Sequence, residues 1–407
     1  MGIRLGLVGL GSFGSAFAPL FSAHPLVDGV VLCDAEASKL ERWTQAEGIR
    51  KKLLPGGACL SFDEICARQD LDALAIITQP WLHAPQCIQA MESGKHVYSA
   101  VPVTCLPDDS EILDWCGKII DCSLRTGQHY MLGETTIYRP QTMFCRRKAS
   151  LGEFGDFVFA EAEYAHDVDC FSCSLRNVLL SRSTGVIGKQ REGIMQRYYA
   201  RGLKHSPMAY PTHSVSGPVS VMKSRPVECT AYGYRNSNGD EYFRHFDFSN
   251  VVAFFRMENG ASLRVAEMRE ISPNIGCMDE DFRIFGTRGS YSYRKWCDNG
   301  RTVPDGKPKE NCCTELTESE MRDPLPHEVA EAFKKALGQT GSDFVPAGHG
   351  GSHPYLVHEF VSAVSENRTP EISAWDAALY MAMGVAAHQS ALKDGEKVKV
   401  FDFGRKP

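Results

Sequence analysis

At 407 residues the chain is long enough for two domains and a sizeable core. Hydrophobic residues make up 43% and charged residues 23%, and the net charge of −6 comes without a basic block; this is the profile of a soluble globular protein and excludes a nucleic-acid binder, which needs clustered Lys and Arg. No apolar run is long enough for a membrane span, and the N-terminus enters a strand in place of a signal peptide, so the 15 scattered Cys read as reduced thiols of a cytoplasmic protein.

Ile3 to Val8 is a short apolar run, as a strand buried on both faces requires. Gly9-Leu10-Gly11-Ser12-Phe13-Gly14 follows at once, then a helical stretch from Ser15 to Ser22. This is G-x-G-x-x-G between a strand and a helix. Gly9 allows the tight turn, Gly11 lets the backbone approach a pyrophosphate, and Gly14 lets helix and strand pack closely. The helix N-terminus offers free N–H groups to the phosphates. A second strand, Gly29 to Cys33, ends at Asp34, placed to accept the ribose hydroxyls and to repel a 2′-phosphate, so the cofactor expected is NAD.

The alternation continues. Phe62 to Arg68 reads as a helix capped by Ser61, Ala73 to Thr78 as a strand, and Pro85 to Ser93 as a helix closed by Gly94. His96 to Ser99 is a strand, Asp108 to Thr126 a helix, and Tyr130 to Leu132 another strand. The pattern predicts an α/β fold with a doubly wound parallel sheet over residues 1–135. The segments after the later strands, Thr78-Gln79-Pro80-Trp81-Leu82-His83, Ala100-Val101-Pro102 and Glu134-Thr135, are expected to line the nicotinamide half of the site.

Residues 136–407 read as a second α/β domain. A helix runs from Arg139 to Ser150, after which the period changes. Phe157 to Tyr164, Val251 to Phe255, Ala261 to Met268 and Asp281 to Phe285 read as strands of a mostly antiparallel sheet with one covered face. Arg294 to Pro326 reads as loop or insertion, His353 to Glu366 and Ala374 to Leu392 as helices, and Lys397 to Phe401 as a last strand of either sheet. His349 and His353 form H-x-x-x-H, but Gly350 and Gly351 intervene and no H-E-x-x-H is present, so no metal is expected. Cys170-x-x-Cys173 has no second pair at zinc spacing and reads as ordinary thiols. Arg191, Arg197, Arg201 and Lys204 read either as a site for an anionic sugar substituent or as a solvated basic loop.

Gly9 to Gly14, Asp34, Thr78 to His83, Val101-Pro102 and Gly286-Thr287-Arg288-Gly289-Ser290 together resemble the Gfo/Idh/MocA oxidoreductases. The resemblance implies a Rossmann domain followed by an α/β domain whose large open sheet covers the nicotinamide and forms oligomer contacts, in a dimer or tetramer. It also implies a small carbohydrate or cyclitol as substrate. Two departures stand out. Dehydrogenases of this kind carry Glu-Lys-Pro where this chain has Ala100-Val101-Pro102, and Asp-x-x-x-His where it has Ala209-Tyr210-Pro211-Thr212-His213.

Both departures, with Glu134-Thr135-Thr136-Ile137-Tyr138, Tyr164-Ala165-His166 and Gly348-His349-Gly350-Gly351, resemble the NAD-dependent glycosidases of glycoside hydrolase family 109. That likeness implies cleavage by transient oxidation at sugar C3, elimination across C1–C2, water addition and re-reduction, with NAD recycled. It implies catalytic roles for Tyr210, His213, Tyr164 and His166, and sugar contacts from Glu134, Tyr164, Tyr210, His213 and His349. Tyr210 and His213 are expected to handle protons around C3 and C2, with the tyrosine pKa lowered by a neighbouring positive charge. Tyr164 and His166, two apart on a strand, face one side. Cofactor contacts are implied for Gly9, Leu10, Gly11, Ser12, Phe13, Gly14, Asp34, Thr78, Gln79, Trp81, His83, Ala100, Val101 and Thr135. The alternatives are a plain NAD-dependent sugar or cyclitol dehydrogenase and a non-catalytic sugar or NAD sensor.

Overall fold

The computed structural model describes residues 2–170, 174–272, 277–298 and 313–406. Strand β1 (Ile3–Val8) leads through the glycine turn into the helix Ser12–Ala23. Strands β2 (Val27–Cys33), β3 (Leu53–Cys59), β4 (Ala73–Ile76), β5 (His96–Ser99) and β6 (Tyr130–Leu132) follow, with helices between them. All six pair in parallel in the order β3-β2-β1-β4-β5-β6. Helices cover both faces, which is why Leu5, Val30, Leu74 and Val97 lose all contact with solvent. The chain reverses direction across the sheet between β1 and β4, and such a switch point leaves a crevice at the carboxyl ends of the strands.

Local signals set the element ends. The Ser61 hydroxyl accepts from the Glu64 N–H, and the Asp108 carboxylate accepts from the N–H groups of Ser110 and Glu111. Gly127 closes the helix Asp109–Thr126 in the left-handed region. Strand β3 goes beyond the expected elements. It contains Pro55-Gly56-Gly57, which argues against a strand in isolation but is tolerated on this sheet edge.

The second sheet has nine strands: β7 (Phe157–His166), β8 (Pro226–Tyr234), β9 (Asn250–Met257), β10 (Ser262–Met268), β11 (Cys277–Gly286), β12 (Ser290–Ser292), β13 (Lys295–Cys297), β14 (Cys313–Glu315) and β15 (Val398–Lys399). Their order is β14-β13-β12-β11-β7-β10-β9-β8-β15. β7 and β10 run parallel, and the other described pairs are antiparallel. One face is covered by the helices Thr212–Met222 and Ala374–Leu392. The opposite face presents Tyr232, Tyr234 and Phe254 to solvent.

Three expectations are corrected. The stretch before Tyr210 is a helical hairpin, Leu175–Ser183 and Gly185–Ala200, in place of a basic loop. It buries only Gly188, Met195 and Tyr198, too sparse a stripe to show as periodicity. Residues 294–326 contain β13, β14 and the short helix Glu318–Met321; residues 299–312 lie outside the described part. The cysteines are not all reduced: Cys297 and Cys313 face each other across β13 and β14 and form a disulfide, and Cys170 is also disulfide-bonded. Strand pairing, which spacing alone does not reveal, brings the first pair together. Cys173 lies outside the described residues.

The last helices return to the Rossmann domain. The rings of Phe17 and His353 stack at 4.2 Å between centroids, and Phe360 packs against Phe21 and Tyr98. His388 lies between Asp109 (Nδ1, 3.0 Å) and Asp247 (Nε2, 3.3 Å), joining both domains. Burial opposes its charge, but the two carboxylates win and raise it from 6.5 to about 9. A group raised on folding stabilises fully below its unfolded pKa and loses that contribution as pH rises through the folded value. The melting-temperature advantage of wild type over His388→Gln is therefore complete at pH 6 and shrinks by pH 9.5. A difference that stays constant over that interval would show His388 to be neutral.

Candidate active site

The glycine turn is shaped for a dinucleotide. Gly9 has φ 88°, and a Cβ there would lie 2.3 Å from the Ile77 carbonyl oxygen. A Cβ on Gly14 would lie 1.9 Å from the Gly9 carbonyl oxygen. Gly11 differs: a Cβ there meets no protein atom within 4 Å. Its lack of a side chain therefore serves something outside the fold, as a pyrophosphate requires. The helix behind it begins without a side-chain cap or an acidic residue in its first turn, leaving its N–H groups for an anion. Asp34 accepts from the Leu10 N–H at 2.8 Å and from the Glu36 N–H at 2.9 Å. This fixes the carboxylate at the end of β2, beside the turn. Ser12 is exposed, and Phe13 stands edge-on to His349 and His353.

The later strand ends converge beside it. Thr78 donates to Gln86 Oε1 at 2.6 Å, and Trp81 Nε1 donates to Gln79 Oε1 at 3.1 Å. His83 is buried, its ring nitrogens 2.8 Å from the Pro102 carbonyl and 3.1 Å from the Thr78 carbonyl. Burial lowers it to about 4, more than those hydrogen bonds raise it. In this position it lies between the loop after β4 and the one after β5. Ala100 and Val101 are buried at the turn of the latter loop, and the Tyr210 hydroxyl donates to the Val101 carbonyl at 3.2 Å.

The proton-carrying groups come from four elements. Register places Glu280 of β11 and Glu267 of β10 directly across from Tyr164 of β7, so the three form a row on one face of the sheet. The helix Thr212–Met222 lies over that sheet and brings His213 and Ser214 down onto it. Tyr210 stands just before this helix, with Pro211 as its N-cap. The His213 ring is 4.8 Å from Tyr164 and 5.3 Å from Tyr210, between centroids. The Tyr164 hydroxyl and His166 Nδ1 are 2.6 Å apart. Tyr210, His213, Tyr164, His166 and Glu134 are thus gathered in one place, and Thr135 lies 3.5 Å from His213 Nδ1.

His213 Nδ1 lies 2.9 Å from Glu134 Oε1 and 3.7 Å from Glu280 Oε2. Burial opposes its charge, but the two carboxylates outweigh burial and raise it to about 9. Glu134 is the complement: burial pushes it up, yet His213 and its hydrogen bonds bring it to about 2. Arg139 Nη2 pairs with Glu280 Oε1 at 2.7 Å, so two carboxylates face two cations. Glu134, His213 and Glu280 have the composition of a metal-ligand set. His213 and Arg139 already supply the positive charge there, and a metal ligand would need a neutral imidazole.

The expectation of a lowered tyrosine pKa is corrected. Burial dominates at both Tyr164 and Tyr210 and raises them above 10. Both are phenols in the protein alone. Arg269, 4.5 Å over the Tyr164 ring, offsets only part of that. Arg269 pairs with Glu267 at 2.6 Å, and Glu267, raised by burial, sits at about 7.

Arg139, Glu267, Arg269 and Glu280 were not among the expected site residues. Glu267 and Arg269 carried a signal, since they continue the alternation of Leu263 and Val265, the buried apolar positions of β10, with two charges. His349 connects the halves of the site: it stacks on His353, with Nδ1 to Nε2 at 2.9 Å. Burial, then the charge of His213, lowers it to about 4.

Comparisons with known proteins bear on the fold and the family. The model for the oxidoreductase family with an NAD-binding Rossmann fold, Gfo/Idh/MocA, matches residues 3–116. The chain is 26% identical over 433 residues to a glycosyl hydrolase family 109 protein of Solibacter usitatus, covering 99% of this chain and 88% of that one. It is 28% identical over 222 residues to an alpha-N-acetylgalactosaminidase of Shewanella oneidensis, covering 54% of this chain and 43% of that one. The solved structure of a levoglucosan dehydrogenase in complex with NADH and levoglucosan matches with a TM-score of 0.69 at 17% identity, over 98% of this chain and all of that one. The last likeness is one of fold. Among the described residues no helix is long and apolar enough to cross a membrane. Residues 3–116, with a glycine turn and Asp34 built for NAD, thus match the NAD-binding Rossmann domain of the Gfo/Idh/MocA oxidoreductases, and the chain as a whole is similar to glycosyl hydrolase family 109 proteins.

Proposed function

We propose that the protein cleaves a glycoside by transient oxidation of its sugar, with NAD recycled in place. The observation that carries this reading is the buried array of proton-carrying groups, Tyr164–His166 and Tyr210–His213, at the carboxyl ends of the Rossmann strands. A simple hydride transfer needs one acid or base, whereas elimination and water addition need several. Bound at the glycine turn, NAD supplies reversible removal of hydride from sugar C3. Gly9 to Gly14, Asp34, the loops Thr78–His83 and Ala100–Val101, and Thr135 would hold it.

The chain's own groups handle the protons. His213, cationic below pH 9, donates to the C3 oxygen and stabilises the negative charge that forms there as C2–H ionises. Tyr210 stands on the same side and orients that oxygen. Tyr164 exchanges a proton with the sugar while its phenolic proton passes to His166 Nδ1. Glu134 and His349 position the sugar. Residues 1–135 and 136–407 act as cofactor and substrate domains, and the exposed sheet face with Tyr232, Tyr234 and Phe254 joins copies of the chain. A cytoplasmic location rests on the free thiols, and the Cys297–Cys313 disulfide weighs against it.

The second reading is a plain sugar dehydrogenase with exchangeable NAD, favoured by the fold shared with the levoglucosan enzyme. An aryl-glycoside panel of both anomers, followed for aryl release and NADH together, separates them. Release without net NADH supports cleavage, and NADH accumulation on free sugars without release supports the dehydrogenase. Tyr210→Phe is expected to lower kcat by about 100-fold, as loss of one positioned proton donor does. A kcat within threefold of wild type would remove Tyr210 from the chemistry.

A further inference from the structure

Arg269 follows the last residue of β10 and is buried. Its backbone is fixed from both sides: its N–H donates to Asn250 Oδ1 at 2.8 Å, and its carbonyl accepts from the Val168 N–H at 3.0 Å. Its guanidinium has three acceptors. Nη2 donates to Glu267 Oε2 at 2.6 Å, and Nη1 donates to the carbonyls of Tyr164 at 3.2 Å and Met268 at 3.0 Å. Held in this way, Cζ stands 4.5 Å from the centroid of the Tyr164 ring. The other oxygen of Glu267 accepts from the hydroxyl of Ser214, the residue after His213. A buried ion pair adds little net stability, because desolvation offsets the attraction. Its place against a proton-carrying tyrosine gives this pair a use that stability does not.

The Tyr164 hydroxyl lies 2.6 Å from His166 Nδ1. When the phenolic O–H bond breaks and the proton moves to that nitrogen, a phenolate and an imidazolium remain, and Arg269 keeps all its protons. The phenolate spreads its negative charge into the ring, so a cation over the ring face attracts it more than the neutral phenol. Burial opposes this ionisation, and the charge of Arg269 favours it. Glu267, directly across from Tyr164 in the sheet, opposes it and limits what Arg269 supplies. Tyr164 also faces Glu280 from β11, His213 from the helix above and Tyr210 before that helix, and Tyr242 acts on Arg269. Those groups are common to all the variants below.

We propose that Arg269 is a positioning residue for the reaction: held over the Tyr164 ring by Glu267 and two carbonyls, its guanidinium stabilises the phenolate that Tyr164 becomes when its proton moves to His166. The proposal rests on the functional reading above in giving Tyr164 a proton to transfer. The test places 3,5-difluorotyrosine at position 164 of the full chain, where the fluorines bring the phenol into an observable range. Fluorine NMR of the NADH-loaded protein then follows its titration. In R269Q the phenol is expected to bind its proton about tenfold more tightly, the scale of one lost neighbouring charge. In E267Q it is expected to bind about threefold less tightly, because Arg269 is then uncompensated. R269K, which keeps the charge, is expected to stay within threefold of its parent. On the natural tyrosine, R269Q is expected to lower kcat for aryl release about tenfold with KM unchanged, and R269K to recover most of it.

A purely structural role would move R269Q and E267Q in the same direction, or neither, and either result overturns the proposal. Should R269Q fail to fold, E267Q decides alone: a phenol that binds its proton as tightly as before, or more tightly, overturns it. Aryl release by Tyr164→Phe within threefold of wild type would overturn it and leave the cleavage reading to Tyr210 and His213. NADH accumulation without aryl release would remove the cleavage reading, while opposite shifts in R269Q and E267Q would still sustain this proposal for hydride transfer alone.

Discussion

His213→Gln lowers kcat by about 1,000-fold or more while the protein still binds NADH. His213 is an imidazole that the fold holds as a cation. Glu134 at 2.9 Å and Glu280 at 3.7 Å outweigh its burial and raise it to about 9. The neighbouring His349 goes the other way, to about 4, because burial and the charge of His213 both oppose its protonation. A positive donor is thus fixed beside two carboxylates, and a glutamine amide supplies the shape without the charge. The substitution also leaves two buried carboxylates with one cation fewer, a change that costs about 3–5 kcal/mol in comparable buried pairs. The melting temperature and the NADH dissociation constant must therefore be measured beside kcat, to show that folded, loaded enzyme is being assayed. Activity within tenfold of wild type in such a sample would show that the His213 charge is not part of the chemistry. The wild-type rate should also fall as pH rises through about 9, where His213 loses its proton.

Gly11→Val raises the NADH dissociation constant at least about 100-fold without a comparable loss of stability, the consequence of placing a branched side chain where a pyrophosphate must approach the backbone. Gly11 has φ −69° and ψ −173°, a conformation open to any residue, and its missing Cβ faces no protein atom. Backbone strain and packing therefore do not require glycine there. Gly14→Ala is the control with the opposite logic. Its Cβ falls 1.9 Å from the Gly9 carbonyl oxygen, so it forces helix and strand apart and lowers the melting temperature directly. Fluorescence titration with NADH and thermal melts of both variants separate the effects. A Gly11→Val protein that binds NADH as wild type does would show that the glycine turn is not the phosphate site.

Much of the Rossmann half was legible because each local signal agrees with the global fold. The apolar run of β1, the three glycines and Asp34 occur in the order that the switch-point crevice demands. β3 was hidden because Pro55-Gly56-Gly57 denies a strand locally, and only pairing to β2 overrules it. The hairpin over 175–200 was hidden for a different reason. It buries few residues, so its helices lack the apolar stripe that periodicity detects.

The site divides in the same way. Tyr210, His213, Tyr164 and His166 stand in short local patterns and could be singled out. Glu280, Glu267, Arg269 and Arg139 acquire their positions from strand register and helix packing. No spacing in the sequence encodes that Glu280 and Glu267 flank Tyr164. The tyrosine pKa direction failed for the same reason. The sequence shows nearby charge, while burial is a property of the assembled fold.

Cleavage through oxidation at C3 makes one demand that no other route to glycoside hydrolysis makes: the C2–H bond must break. The direct measurement is to run the cleavage of a responsive aryl glycoside in D2O and examine the released sugar by proton NMR, with NADH absorbance followed throughout. The account predicts deuterium at C2 of the product and no net NADH. A product that keeps its C2 proton would contradict elimination and point to direct displacement at C1, and accumulating NADH without aryl release would leave a sugar dehydrogenase.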